Sequence, residues 1–159
     1  GKGWMYEGGT REPLIARWPG KIDPGTRCAT PVTSTDFFPT FLDAVGLPLR
    51  PDLHVDGISL MPLLTGTGEI DREAIFWHYP HYGNQGDTPG CSIRAGDWKL
   101  IEYFEDGRLE LYNLRDDLSE STNRADTDPE IRARLKHMLD AWKDSVEAVI
   151  PKPNPNWKG

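Results

Sequence analysis

The sequence predicts an α/β fold that ends in a small antiparallel sheet packed by one helix. Two patterns carry this prediction. Before residue 70, a short apolar run is followed by apolar residues at helical spacing, as in a strand with a helix packed on it. After residue 70, short strand-like runs alternate with tight turns and are followed by one long amphipathic helix. We therefore predict an α/β part over residues 1–70, the sheet and helix over 71–150, and an extended tail over 151–159.

The first predicted element is the apolar run 13–18, which is bounded by Pro19 and Gly20. Its length and composition indicate a short, mostly buried strand. We expect that strand to belong to the sheet on which the following helix packs.

A helix is predicted next, from apolar residues three or four positions apart. One of the polar residues at 34–36 serves as its N-cap, and Gly46 suits its C-terminal end. A shorter helix is expected around 60–64, with Ser59 as its cap. The apolar side chains of the first helix should be core residues packed on the sheet: Phe37, Phe38, Phe41, Leu42 and Val45.

The second part contains the antiparallel sheet. An Asp106-Gly107 pair suits a hairpin turn, because glycine adopts positive φ without strain. Asp128 and Pro129 suit the start of the long helix. In the strand after Gly107, alternation predicts one buried and one mixed face. The predicted strands lie at 74–79, 92–94, 98–104 and 109–114.

Composition excludes several classes of protein. The 159 residues carry a net charge of -7, which argues against nucleic-acid binding, since that requires a basic surface. No apolar run approaches the roughly 18 residues of a membrane-spanning helix. The two cysteines, Cys28 and Cys91, are too few for a disulfide framework and lack metal-ligand spacing. Two unrelated thiols are the favoured interpretation, and pairing between them stays open.

The opening segment is the first candidate site. Lys2 lies among glycines that allow a ligand to approach the backbone closely. A lysine ammonium there suits an oxyanion such as sulfate or phosphate. The alternative is a surface loop with a solvated lysine, which composition alone favours.

A second candidate site is the glycine-rich loop over residues 78–90. His78, His81 and two tyrosines offer donors and aromatic faces to a polar, ring-shaped ligand. The His-x-x-His spacing also suits a metal pair, but no third ligand accompanies it. A loop with packed aromatic side chains is the alternative. His54 and His137 have no partners of this kind in the sequence.

Several sequence blocks follow one another in the order found in a known family. Together they resemble the C-terminal part of formylglycine-dependent sulfatases of the arylsulfatase type, in the alkaline-phosphatase-like superfamily. The resemblance extends from residue 1 to about residue 145. The blocks are Gly1-Lys2-Gly3, Tyr6-Glu7-Gly8-Gly9 with Arg11, Pro13-Leu14-Ile15, Trp18-Pro19-Gly20, Asp36-Phe37-Phe38-Pro39-Thr40, Asp56-Gly57 with Ser59-Leu60, Gly96-Asp97-Trp98-Lys99-Leu100-Ile101 and Glu110-Leu111-Tyr112-Asn113-Leu114.

The resemblance implies roles for four residues. Lys2 matches the family lysine that contacts the sulfate group, which makes it the candidate catalytic residue. Arg11 matches the Gly-Gly-x-Arg position and is interpreted as a structural ion-pair partner. His78 and His81 match a histidine-bearing loop that borders the substrate pocket in bacterial relatives, so they are candidates for substrate binding.

The same resemblance implies the cofactors. The family uses Ca²⁺ and a formylglycine made from Cys or Ser in a Cys/Ser-x-Pro/Ala-x-Arg motif. Neither Cys28 nor Cys91 lies in such a motif, so this chain itself is expected to bind no cofactor. We interpret the chain, which starts in mid-motif, as a C-terminal fragment of the sulfatase fold whose nucleophile and calcium ligands lie upstream. Residues 1–70 then correspond to the end of the large α/β domain.

The expected function is therefore a contribution to sulfate ester hydrolysis, inactive without the upstream part. The expected partner is a sulfated small molecule or sulfated carbohydrate, and the family implies a periplasmic or secreted protein. Two alternatives stay open. One is a phosphodiesterase or phosphonate hydrolase of the same superfamily. The other is a non-enzymatic glycan-binding module that uses Trp77, Tyr79 and Tyr82.

Overall fold

A computed structural model describes residues 3–152 and 154–156 of the chain. The contacts divide the chain into two units. One consists of the residues up to Glu12 together with those from Glu73 onward, and the other is Pro13–Arg72. No helix in the described ranges is long and apolar enough to cross a membrane. The boundaries predicted at residues 70 and 150 stay predictions.

The first unit is built on a four-stranded antiparallel sheet in the order β1-β2-β3-β4. β2 and β3 are joined by a two-residue turn in which Gly96 has φ 59°. In register, Ile93 lies opposite Leu100, and Leu100 lies opposite Leu111, so fully buried side chains form one row across three strands. The strands are β1 (Ile75–Tyr79), β2 (Gly90–Ala95), β3 (Trp98–Tyr103) and β4 (Leu109–Asn113), which confirms the predicted sheet.

A long helix covers one face of this sheet, as predicted. It runs over Pro129–Ser145, with proline in its first turn, where the missing N–H costs no hydrogen bond. The ring of Trp142 stacks on Phe76 of β1 at a centroid distance of 4.8 Å. The buried core between sheet and helix consists of Cys91, Ile93, Ala95, Leu100, Leu111, Ala125, Leu135 and Leu139.

The segment formed by residues 3–12 covers the other face, which the sequence did not predict. It contains a four-residue helical turn, α1 (Glu7–Thr10). Met5 packs in a second core cluster with Ile101, Tyr103, Tyr112 and Leu114. Because both faces are covered, Tyr112 and Leu114 are buried as well as Leu111 and Asn113. The buried-and-mixed alternation predicted for β4 is therefore wrong at its C-terminal end.

The predicted strand at 13–18 is not present in the second unit. Those residues form no regular secondary structure, and Ile15 is 89% exposed. An isolated strand leaves its backbone N–H and C=O groups unpaired, so apolar composition alone does not produce one.

The predicted helices of the second unit are present. A 3₁₀ turn, Ser34–Asp36, leads into α2 (Phe37–Ala44), and α3 spans Met61–Thr65. Gly46, with φ 73°, ends α2 in a Schellman arrangement, in which the amides of Gly46 and Leu47 donate to carbonyls of the last turn. The long helix of the first unit, Pro129–Ser145, is α4.

The apolar face of α2 is exposed within its own unit, contrary to the sequence prediction. Phe41 is 66% exposed and Val45 70% exposed, and Phe37 and Phe38 are exposed as well. The buried residues of α2 are Pro39 and Thr40. Helical spacing identified the apolar face correctly, but the prediction that this face is buried was wrong within the unit.

Buried polar groups hold the second unit together. Asp36 is fully buried and accepts hydrogen bonds from the amides of Thr33 and Ile58, at 2.8 and 3.0 Å. Arg72 donates to both of its carboxylate oxygens, with Nη1 2.8 Å from Oδ2. Burial opposes ionisation of Asp36, but these hydrogen bonds outweigh it and keep its pKa below the usual range. Thr40 extends the network, because its hydroxyl accepts from the amide of Leu60 at 2.8 Å.

The first prediction concerns this carboxylate. Arg72→Met leaves Asp36 as a buried, uncompensated charge, which should destabilise the unit by about 3–5 kcal/mol. Hydrogen exchange measures the effect locally, since the amides of Thr33 and Ile58 should lose protection. Arg50→Met is the matched control, because the Arg50–Asp52 pair is exposed at both ends and its loss should leave those amides unchanged. Unaltered exchange in Arg72→Met would show that Asp36 does not depend on this ion pair.

Candidate functional site

The two predicted site segments lie side by side in the first unit. Lys2 itself lies outside the described residues, but the residues that follow it contact the loop at 80–89. Trp4 donates from its indole Nε1 to the carbonyl of Gln85 at 3.1 Å. Gly3 has φ 93°, and a Cβ there would lie 2.7 Å from Oε1 of Gln85. The structure therefore brings together two segments that are separated by about eighty residues of sequence.

Glycines make this close approach possible. Gly86, with φ 87°, lies under the indole of Trp4, so that a Cβ at Gly86 would be 3.6 Å from that ring. Gly90 begins β2 against Met5, and a Cβ there would lie 2.7 Å from the Met5 methyl group and 2.6 Å from the carbonyl of Glu102. Larger residues at Gly90 would push Met5 off the sheet.

The two candidate histidines have different environments. His78 is partly buried on β1, where its Nε2 lies 3.0 Å from the carbonyl oxygen of Val149. Its ring packs against Phe104 at 5.7 Å. His81 is exposed and packs edge-on against Tyr79 at 5.3 Å. Their proposed role in substrate binding stays a prediction.

The loop also holds a buried carboxylate that the sequence did not single out. Asp87 is 2% exposed, and its Oδ1 accepts from the amide of Thr88 at 2.9 Å. Burial raises its pKa, although the positive charge of Arg108 opposes that effect. At the loop's outer edge, Tyr82 donates to Glu105 at 2.6 Å.

A chain of tyrosine hydroxyls anchors the segment formed by residues 3–12. Tyr6 donates to Glu110 at 2.6 Å and accepts from Tyr103 at 3.0 Å, while Tyr112 donates to the same Glu110 oxygen at 2.9 Å. The guanidinium of Arg108 lies over the Tyr103 ring at 3.6 Å. Burial, followed by hydrogen bonding to Glu110, raises the pKa of Tyr6 far above its ordinary value, so its hydroxyl remains a neutral donor.

A buried ion cluster provides a second anchor. Lys99 of β3 is fully buried, and its Nζ lies 3.1 Å from Oε1 of Glu7, 3.2 Å from Oε1 of Glu120 and 3.3 Å from the Thr10 hydroxyl. Arg94 of β2 lies 3.5 Å from the other carboxylate oxygen of Glu7. Sequence reasoning missed this cluster. Its one signal was a lysine on the strand face that also carries Ile101 and Tyr103.

Glu120 reaches the cluster through an unusual backbone conformation. Its φ is 53°, which is uncommon for a residue with a side chain. Its carboxylate accepts from the amide of Glu7 at 2.6 Å, at the start of α1. Burial raises the pKa of Glu120, and Lys99 partly offsets the effect. Asp117 holds the loop in shape by accepting from the amides of Ser121 and Thr122, both at 2.9 Å.

Arg11 lies at the edge of this cluster. Its Nη1 is 3.5 Å from Oε2 of Glu7, and its side chain is 54% exposed. The structural ion-pair role predicted for Arg11 stays a prediction, and the contact with Glu7 is the observation that bears on it.

The described residues contain no candidate metal site. No group of three His, Cys, Asp or Glu side chains in those ranges is arranged to hold an ion. Both cysteines are free. Cys28 is exposed, whereas Cys91 is buried in the core and its thiol lies 3.3 Å from Glu102. Burial raises the pKa of Cys91, which disfavours its nucleophilic thiolate.

The second prediction concerns the loop that carries Glu120. Hydrogen bonds from Ser121 and Thr122 lower the pKa of Asp117 from 3.8 to about 2. A carboxylate whose pKa is lower in the folded state stabilises the fold fully at pH values above its pKa in the unfolded state. That stabilisation is lost as the pH falls through the pKa of the folded state. The free-energy gap between the wild type and Asp117→Asn, measured by urea unfolding, should therefore be constant above about pH 4 and close towards pH 2. Asp116→Asn, in the exposed neighbour, should produce no such gap, and a gap at Asp117 independent of pH would contradict the explanation.

Comparisons with known proteins agree on one family. Residues 1–145 match the family described as N-sulphoglucosamine sulphohydrolase, C-terminal. A protein named "Sulfatase" from Formosa agariphila is 35% identical over 156 residues, which cover 89% of this chain and 28% of that protein. Human arylsulfatase A is 46% identical over 108 residues, which cover 67% of this chain and 20% of that protein. The chain thus spans less than a third of the length of these relatives.

Solved structures share the fold. A chain described in work on glycosaminoglycan metabolism by Bacteroides thetaiotaomicron superposes with a TM-score of 0.69 at 28% identity, over 87% of this chain and 30% of that one. A protein solved with its substrate, D-glucosamine-2-N,6-O-disulfate, gives 0.59 at 29% identity, over 69% and 23%. A phosphonate monoester hydrolase from Silicibacter pomeroyi gives 0.60 at 26% identity, over 81% and 28%.

The family match covers both the opening segment and the sheet with its helix, and the sheet with its helix also matches solved sulfatase structures. The chain therefore belongs to the family of sulfatase C-terminal regions, among the alkaline-phosphatase-like hydrolases.

Proposed function

We propose that this chain acts as the C-terminal region of a sulfuric ester hydrolase, where it contributes a sulfate-contacting lysine and part of the substrate pocket. The observation that carries the proposal is the contact between the segment after Lys2 and the loop at 80–89. A sulfate-binding residue and a ring-binding loop must be neighbours if they are to hold one sulfated ring, and Trp4 and Gln85 join the two segments directly.

Lys2 has a defined role in this proposal. Its ammonium group neutralises the sulfate oxygens and the charge that develops on the leaving oxygen as the S–O bond breaks. The glycines that flank Lys2 in the sequence carry no Cβ that would hinder the approach of a sulfate group. The segment after it is anchored on the sheet through Met5 and Tyr6, which supports a fixed position for the charge.

The loop at 80–89 supplies the binding surface for the rest of the substrate. Its exposed side chains include His81, Tyr82, Asn84 and Gln85, which offer hydrogen bonds and an aromatic face to a sugar ring. One structural relative was solved with a disulfated glucosamine as its substrate. This supports a sulfated carbohydrate as the substrate class here.

The cofactors of the family belong to another part of such an enzyme. In the family, Ca²⁺ and formylglycine supply the electrophilic and nucleophilic chemistry. No candidate metal site is found among the described residues, and neither cysteine lies in a formylglycine motif. By itself this region is therefore proposed to be inactive. Its own residues bind and orient the substrate and stabilise charge.

A phosphonate or phosphate diester hydrolase is the second candidate, and the Silicibacter pomeroyi structure is the observation that favours it. A lysine in this position suits either oxyanion, because both esters carry negatively charged oxygens around a tetrahedral sulfur or phosphorus atom. Parallel assays of a sulfate ester and a phosphonate ester on the complete enzyme separate the two. A non-enzymatic glycan-binding module would instead show saturable glycan binding by calorimetry and no turnover of either ester.

The third prediction tests the role of Lys2. In the complete enzyme, Lys2→Ala should lower kcat/KM for a sulfate ester by about 10²- to 10³-fold, because one charge-stabilising group is lost. Lys21→Ala is the matched control. That lysine lies in an exposed turn, so its removal should leave kcat/KM unchanged. Unchanged steady-state kinetics in Lys2→Ala would overturn the proposal.

A further inference from the structure

We propose that the buried ion cluster of Glu7, Lys99, Arg94 and Glu120 is a positioning device for Lys2. In this view Lys99 and Glu7 are positioning residues, which act on the reaction only through the segment that they hold. The inference rests on the proposed sulfatase function. It adds a role for charged residues that lie behind the site and do not face a substrate.

The contacts converge on one residue of the opening segment. Glu7 contacts Lys99 of β3 and Arg94 of β2 through its side chain, and its backbone amide donates to Glu120 from the loop after β4. Three parts of the unit thus hold α1 at its first residue. Lys99 also lies 3.3 Å from the Thr10 hydroxyl, at the other end of α1.

The cluster is an inefficient way to obtain stability alone. Moving charges out of water has a large desolvation cost, and apolar replacements of buried ion pairs are often neutral or stabilising. What ion pairs and hydrogen bonds supply is direction, because their energy depends on donor and acceptor geometry. The packing of Met5 against the sheet has no such directional requirement, so the cluster adds to the direction that the Tyr6 hydrogen bonds supply.

Lys2 precedes Glu7 by five positions in the sequence. Trp4, Met5 and Tyr6, which lie between Gly3 and Glu7, each have a contact of their own in the unit. Gly3 is the residue between Lys2 and this row of contacts. The cluster fixes α1, and the contacts of residues 4–6 continue this fixed segment towards Lys2.

The fourth prediction uses Lys99→Met in the complete enzyme, which removes the charge and keeps most of the side-chain volume. We expect kcat for a sulfate ester to fall by about 10- to 100-fold, because a displacement of about 1 Å is enough for such a loss. The change in KM should be smaller, since a misplaced ammonium loses more contact with the developing charge than with the bound ester. Glu7→Gln, which keeps the shape of the side chain, should lower kcat in the same direction and serves if Lys99→Met does not fold.

The matched control is an ion pair on the opposite face of the sheet. Lys143 of α4 lies 2.6 Å from Glu102 of β3, and both side chains are largely buried. Lys143→Met should lower the thermal midpoint but leave kcat unchanged at temperatures well below unfolding. Equal losses of kcat in Lys99→Met and Lys143→Met would show a general effect of stability and would overturn the proposal.

A double-mutant cycle gives the decisive measurement. If Lys99 acts through Lys2, then Lys99→Met should have almost no further effect on kcat in a Lys2→Ala background. Additive losses, or an unchanged kcat in Lys99→Met alone, would overturn the positioning role. Failure of the proposed function looks different, because Lys2→Ala by itself would then leave kcat unchanged.

Discussion

The first unit depends on the salt bridge between Glu7 and Lys99, which joins the start of the chain to the middle of the sheet. A lysine with no exposed surface is tolerated only where carboxylates neutralise it. Glu7 and Glu120 provide that neutralisation, and each comes from a different part of the chain. The covering of the second sheet face therefore depends on charge pairing as much as on the packing of Met5 and Tyr6.

This salt bridge connects two of the sequence blocks that resemble the family. The Tyr-Glu-Gly-Gly block supplies Glu7 and Tyr6, and the Gly-Asp-Trp-Lys-Leu-Ile block supplies Lys99 and Ile101. Tyr6 bonds to Glu110 of a third block. The family resemblance thus reflects a set of contacts in the folded unit. The second unit has its own buried charge in Asp36, which caps a 3₁₀ turn and binds Arg72.

Local patterns predicted much of the fold correctly. The strands and α4 follow from alternation, turn residues and helical spacing, all of which act over a few neighbouring residues. The run at 13–18 was mispredicted because strand formation requires a partner, which composition cannot supply. The predicted burial of the α2 phenylalanines was wrong for a related reason. Helical spacing identifies an apolar face, but it does not determine whether another part of the structure covers that face. At the candidate site, Lys2, His78 and His81 came from sequence, whereas the contact between their segments did not.

By itself the sequence determined the family, the antiparallel sheet with its helix and the residue types of the candidate site. These depend on short-range spacing and on the order of blocks along the chain. Only the tertiary structure decided that residues 3–12 lie on the sheet, that Lys99 is a buried structural charge, and that Trp4 meets Gln85. Such contacts join residues eighty or more positions apart. Their energy comes from burial and charge pairing in the assembled unit, which no local sequence pattern specifies.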